Sequence, residues 1–186
     1  MSKNTWVPAM CLAACVALVG TGCAHKKVSS KSAPEFELKD ANGQTVHLAD
    51  YKGKVVLLDF WATWCGPCKI EIPWFMEFEQ QFKDRGFAVV GVSMDEDGWN
   101  AVKPYLVRMK VNYRILLGND KVAGLYGGVD ALPTTFLIDR QGNIVAKYEG
   151  VSGGKEEFKN AIVHQLDAPR AVADTGGVRT LLARSR

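Results

Sequence analysis

Val55-Val56-Leu57-Leu58-Asp59-Phe60-Trp61-Ala62-Thr63-Trp64-Cys65-Gly66-Pro67-Cys68 is the stretch whose reading decides the fold. Its first seven residues are an apolar run interrupted by one acid, the pattern of a central strand covered on both faces. From Cys68 the chain continues as Lys69-Ile70-Glu71-Ile72-Pro73-Trp74-Phe75-Met76-Glu77-Phe78-Glu79-Gln80-Gln81-Phe82, which has helical composition. Pro67 suits a first helical turn, where its missing N–H would have no partner anyway. Pro73 lacks an N–H inside the helix and is expected to kink it. Cys65 therefore sits at a strand-to-helix corner, near main-chain N–H groups without helical partners and at the positive end of a helix dipole. Both stabilise a thiolate, the reactive form of the side chain. Cys68 lies one turn further in and is expected to be more buried. This asymmetry assigns attack to Cys65 and resolution to Cys68.

The other cysteines lie apart from this pair. Cys11, Cys15 and Cys23 fall in the first 23 residues, which leaves Cys65 and Cys68 as a lone C-x-x-C. So small a loop gives little entropic stabilisation, because that gain grows with loop length. The pair is a poor staple and a good redox couple. Structural zinc asks for four ligands, and the three histidines, His25, His47 and His164, are scattered through the chain. No metal and no other cofactor is expected.

The 186 residues leave room for one ordinary domain with appendages, and 47% hydrophobic with 23% charged residues suits a chain that buries a core. The net charge of +3 is unevenly spread. Residues 1–32 carry four lysines and no acid, whereas residues 33–166 carry 15 basic and 18 acidic residues. A mildly acidic middle argues against nucleic-acid binding.

At the N-terminus a short polar start with Lys3 precedes the apolar run Trp6–Val19, 14 residues long. A bilayer-spanning helix needs about 20. Small residues then lead to Cys23, so the segment reads as an export signal. Val19-Gly20-Thr21-Gly22-Cys23 resembles a bacterial lipoprotein signal, which implies acylation of Cys23 and a lipid anchor. Gly20 departs from the usual large apolar residue. Leu12-Ala13-Ala14-Cys15 fits the short motif better but would leave too short an apolar run. The expected organisation is a signal over 1–22, a polar tether over 23–33, one domain over 34–166 and a loose basic tail over 167–186. The domain would lie on the periplasmic side of a bacterial membrane, lipid-anchored, or soluble there if Cys23 is not acylated.

Along the domain, Asn42-Gly43 between Phe36–Leu38 and Gln44–His47 signals a hairpin. Helices are expected over 66–84, 98–109, 121–126 and 155–166, with Pro104 as a kink or boundary. Strands are expected over 55–61, 87–92, 113–117, 134–138 and 143–149. The order gives an α/β domain, a central mixed sheet flanked by helices, with an N-terminal β-hairpin extension. Trp61, Trp64, Trp74 and Phe75, Phe78 and Phe82 read as packing and shielding. His47 and His164, without ligand spacing, read as surface or satisfied histidines. The acidic loop Asp95-Glu96-Asp97-Gly98, with Trp99 after it, has no assigned role.

Phe60-Trp61-Ala62-Thr63-Trp64-Cys65-Gly66-Pro67-Cys68 resembles a thioredoxin active site. Leu48-Ala49-Asp50-Tyr51-Lys52-Gly53-Lys54 before it and Tyr126 to Asp139 after it, with Leu132-Pro133-Thr134, resemble the TlpA/ResA-like branch of exported thiol–disulfide oxidoreductases. The likeness covers about residues 34–166 and implies a thioredoxin-like fold. It implies a cis bond at Leu132–Pro133 facing the cysteines, and a substrate site made of Trp64, Gly66, Pro67, Leu132 and Pro133. It also puts Asp59 at the position of a buried proton-relay acid and Glu71 at that of the branch's own functional carboxylate. Glu71, three residues after Cys68, shares its helix face. Both acids are candidates for the proton acceptor, Asp59 the leading one.

The function expected from this is reduction of disulfides in exported proteins, apocytochrome c haem-site cysteines among them, through a Cys65–Cys68 dithiol/disulfide cycle. The resemblance implies a membrane thiol-reductant donor of the DsbD/CcdA type, and the protein is expected to act as a monomer. One alternative is a thiol peroxidase of the AhpC/TSA type. Its P-x-x-x-T-x-x-C motif is absent, since Leu58 and Ala62 stand where the proline and threonine would be. The other is an exported copper-binding chaperone on the same fold. Those usually have C-x-x-x-C, against the tighter C-x-x-C here.

Overall fold

A computed structural model describes residues 31–151 and 153–169. The readings made for the signal, for Cys23 and for the tail beyond Pro169 lie outside the described residues.

The apolar run forms the strand Val55–Trp61 (β4), buried along its whole length. On one side it pairs in parallel with Phe87–Ser93 (β5), and on the other antiparallel with Thr134–Ile138 (β7). Among the described residues eight strands, numbered in chain order, make one mixed sheet in the order β1-β8-β7-β4-β5-β6-β2-β3. Arg114–Leu117 (β6) continues the parallel part, and Asn143–Glu149 (β8) forms a hairpin with β7. The N-terminal hairpin, Glu37–Asp40 (β2) with Thr45–His47 (β3), adds antiparallel to the free edge of β6. Its turn is held by Asp40, whose side chain accepts the Asn42 and Gln44 N–H groups, both at 2.9 Å, and pairs with Arg114.

Side chains of β4 alternate between two cores, because successive strand residues point to opposite faces. Val55, Leu57 and Trp61 meet Cys68–Phe82 (α1), Trp99–Met109 (α2) and Gly154–Asp167 (α4), through Ile72, Phe75, Phe78, Val102, Phe158 and Ile162. Val56, Leu58 and Phe60 meet the hairpin and Asp120–Leu125 (α3), through Phe36, Leu38, Val122 and Tyr126. Asp59 has the odd-residue register, so the acid faces α1. On α1, Ile72, Phe75, Phe78 and Phe82 recur at helical spacing and are buried.

The structure departs from the sequence reading in three places. Lys31–Ser32 (β1), read as the end of the tether, pairs with β8 at the sheet edge, and Ala33 behind it is buried. A two-residue strand is too short to show a period. Of the two readings of Pro104, kink or boundary, the boundary is overturned, since α2 runs through it. Its ring sits in the second turn and removes one main-chain hydrogen bond without ending the helix. Asp167, assigned to the tail, closes α4 and pairs with Arg85 at 2.7 Å.

Candidate redox site

Cys65 and Cys68 are joined by a disulfide with an S–S distance of 2.04 Å. The bond sits where β4 gives way to α1. Pro67, in helical conformation, caps the helix, and Cys68 is its first residue. The Cys68 N–H donates to Cys65 Sγ at 3.2 Å, so the first turn of the helix already points a main-chain donor at that sulfur. On reduction, that donor would favour the anionic form of Cys65. Both cysteines are nearly buried, Cys65 at 4% exposure and Cys68 at 1%. They differ in what lies above them. Cys65 opens on a groove of about 490 Å³, and Cys68 is absent from its walls.

The groove brings together most of the expected substrate residues. Trp64, Gly66, Pro67 and Leu132 line it, and Pro133 is buried beneath. The Leu132–Pro133 bond is cis. No main-chain hydrogen bond engages the Leu132 N–H or C=O among the described residues. Trp64 is 67% exposed and forms a rim, whereas Trp61 is fully buried against Tyr105. Three further lining residues, Met94, Val129 and Asp130, were not picked out from the sequence.

Asp95, to which the sequence reading assigned no role, holds the loop of the site in place. It is buried, and its carboxylate accepts the Thr63 N–H at 2.9 Å, the Thr63 hydroxyl at 2.5 Å and the Ser93 hydroxyl at 2.8 Å. Asp95 thus pins the loop that carries Trp64 and Cys65 to the end of β5. The signal was topological. Parallel pairing of β4 with β5 puts the loops after their C-terminal ends side by side, where α/β sheets build their sites.

Two carboxyls are buried on the elements that flank the disulfide, Asp59 on β4 and Glu71 on α1. Asp59 is 1% exposed and accepts one hydrogen bond, from the Thr135 hydroxyl at 3.1 Å. Burial pushes its pKa up to about 7, against the lowering effect of that bond. Glu71 is fully buried, and neither of its oxygens has a hydrogen-bond partner among the described residues. Burial, and then the charge of Asp59, push its pKa up to about 8. Its burial puts Glu71 on the core side of α1, the face it shares with Cys68. The Trp61 indole N–H and the Tyr105 and Tyr113 hydroxyls, in the same core layer, are also buried without a hydrogen-bond partner among the described residues. Such unpaired groups cluster where a site carries function. Among the described residues no group of three His, Cys, Asp or Glu side chains is placed to hold a metal ion.

Comparison with known proteins gives a consistent picture. A family model described as the AhpC/TSA family matches residues 30–147. The thiol-disulfide oxidoreductase ResA of Bacillus thuringiensis (strain Al Hakam) is 37% identical over 127 residues, spanning 68% of this chain and 72% of the relative. ResA of Bacillus subtilis (strain 168) is 40% identical over 118 residues, 63% of this chain and 65% of its own. A Chlorobium tepidum crystal structure described as a thiol:disulfide interchange protein DsbE superposes with a TM-score of 0.69 at 34% identity. It covers 74% of this chain and 96% of its own.

Proposed function

The chain belongs to the AhpC/TSA family and, within it, to the ResA-like thiol–disulfide oxidoreductases of thioredoxin-like fold, and from that premise we propose that it is an exported, lipid-anchored reductant of protein disulfides. The observation that carries the reading is the placement of Cys65 Sγ, under a main-chain donor at the helix start and open to a groove that Cys68 does not reach. The peroxidase alternative is disfavoured by Leu58 and Ala62, which stand where that chemistry needs proline and threonine.

In the proposed cycle the Cys65 thiolate attacks one sulfur of a client disulfide. A Cys65–client bond forms, the client S–S bond breaks, and its other sulfur leaves as a thiolate. Cys68 then gives its proton to a carboxylate and attacks Cys65 Sγ. The mixed disulfide breaks, the second client sulfur leaves and is protonated, and the protein ends as the Cys65–Cys68 disulfide. Two electrons have passed to the client. We assign the proton acceptor to Asp59. A base works best with a pKa near the working pH, which burial gives Asp59, and the Thr135 hydroxyl holds its carboxylate in the strand that leads to Cys65. The free main chain of Leu132 offers an extended client an edge to pair with, beside Trp64 and over Gly66-Pro67. Export, the lipid anchor on Cys23 and a periplasmic site are supported by the apolar run and small residues before that cysteine. An exported reductant needs electrons from a membrane dithiol donor, of the DsbD/CcdA type. Disulfides of exported proteins, C-x-x-C-H haem sites included, are the proposed clients.

The test is disulfide reduction of insulin by the reduced full chain. Turnover should persist with a metal chelator present and vanish in Cys65→Ser. Copper binding at one ion per chain without turnover would overturn the reading.

A further inference from the structure

The groove over Cys65 is apolar on most of its walls, through Trp64, Met94, Val129 and Leu132. Asp130 is the single charged side chain among the residues that line it. It is exposed, and it makes no hydrogen bond or ion pair among the described residues. Its position is set by the loop. Gly127 and Gly128 turn the chain at φ +90° and +81°, and the Asp130 carboxylate folds back over Gly128, 3.5 Å from where a Cβ would stand. Glu96 and Asp97 follow Met94 and are exposed, but neither lines the groove. Asp95 is buried under Thr63 and Ser93, and burial holds Glu71 and Asp59 toward their protonated forms. Lys69, in the first turn of α1, is not part of the groove wall.

We propose that Asp130 is a specificity-determining residue, which selects client disulfides whose attacked cysteine is flanked by a cationic side chain: lysine, arginine or protonated histidine. The idea rests on the disulfide-reductase reading and adds the chemistry of the client. A client segment laid along the groove covers the apolar walls and displaces water around Asp130. An opposite charge then meets the carboxylate in a medium less polar than bulk solvent, and a like charge is repelled there. The exposed Trp64 face adds to the preference, since a cation packs well on an indole. An isolated exposed pair is worth little, so the selectivity should be modest and sensitive to salt.

The experiment uses three synthetic peptides of one sequence, each with a preformed disulfide, differing only in whether lysine, glutamine or glutamate follows the attacked cysteine. The reduced full chain is assayed at low salt, and each kcat/KM is divided by the peptide's rate with dithiothreitol to remove intrinsic reactivity. The expected order is lysine over glutamine over glutamate, with about a fivefold span. Asp130→Glu keeps the span, Asp130→Asn reduces it to under about twofold, and Asp130→Lys inverts it. Salt at about 1 M, where screening acts within about 3 Å, shrinks the wild-type span. A flat wild-type response with all three peptides turned over, or a full span in Asp130→Asn, overturns the proposal alone. No turnover of any peptide overturns it together with the reductase reading.

Discussion

Cys68→Ala in the full chain is expected to stall the enzyme on its clients, with steady-state disulfide reduction falling by about a hundredfold or more. The first exchange needs only Cys65, and the second needs the neighbouring sulfur to displace it. With that sulfur gone, Cys65 stays bonded to the client. Reductant-sensitive adducts should therefore accumulate in cells that express Cys68→Ala, and mass spectrometry of the adducts names the clients. The reciprocal variant, Cys65→Ala, should give none, because Cys68 is 1% exposed and does not line the groove. Adducts formed equally by both variants would contradict the assignment.

The second large effect concerns the buried acids. Burial raises the pKa of Asp59 to about 7 and that of Glu71 to about 8 in the folded protein, whereas in the unfolded chain each carboxyl ionises near its ordinary value of 3.8 or 4.5. Between those limits the folded state binds more protons, so the free energy of unfolding falls as pH rises. The loss begins above about pH 4 and is complete once pH passes the folded values. At 1.36 kcal/mol per pKa unit, ionising Asp59 costs on the order of 4 kcal/mol, with Glu71 of similar size and coupled to it. Denaturant unfolding of the oxidised protein, in which the two cysteines do not titrate, should show stability dropping by several kcal/mol from pH 5 to pH 8. Asp59→Asn and Glu71→Gln should each flatten the slope. Wild-type stability that is level or rising over that range would contradict the burial argument. The same variants separate the two roles in catalysis. Asp59→Asn should slow the attack of Cys68 by about a hundredfold at neutral pH and remove its titration near pH 7, whereas Glu71→Gln should retain the titration.

What the sequence disclosed was local. The run from Val55 to Trp61 has the length and β-branched, aromatic composition of a doubly covered strand, and Pro67 after it suits the first turn of a helix. The hairpin at Asn42-Gly43 and the helical spacing of Phe75, Phe78 and Phe82 depend on neighbours a few residues away, and all stand in the structure. What stayed hidden was non-local. Asp95 reads as one acid in an acidic loop until the pairing of β4 with β5 brings it to Thr63, 32 residues earlier. Spacing puts Glu71 on the helix face of Cys68, but spacing alone does not show how deeply that face is buried. Its burial follows from how α1 docks on the sheet beside Asp59. Asp130 becomes a groove residue only because the loop before Pro133 folds over Cys65.

The central claim is that the helix start holds one sulfur as a thiolate at an open groove while the other is kept behind it. Alkylation of the reduced protein, followed cysteine by cysteine by mass spectrometry across pH, tests this directly. Cys65 should titrate below the ordinary thiol value of about 8.5 and, at pH 7, react at least about tenfold faster than Cys68. Equal rates at the two positions, both rising with a midpoint near about 8.5 as free thiols do, would contradict it.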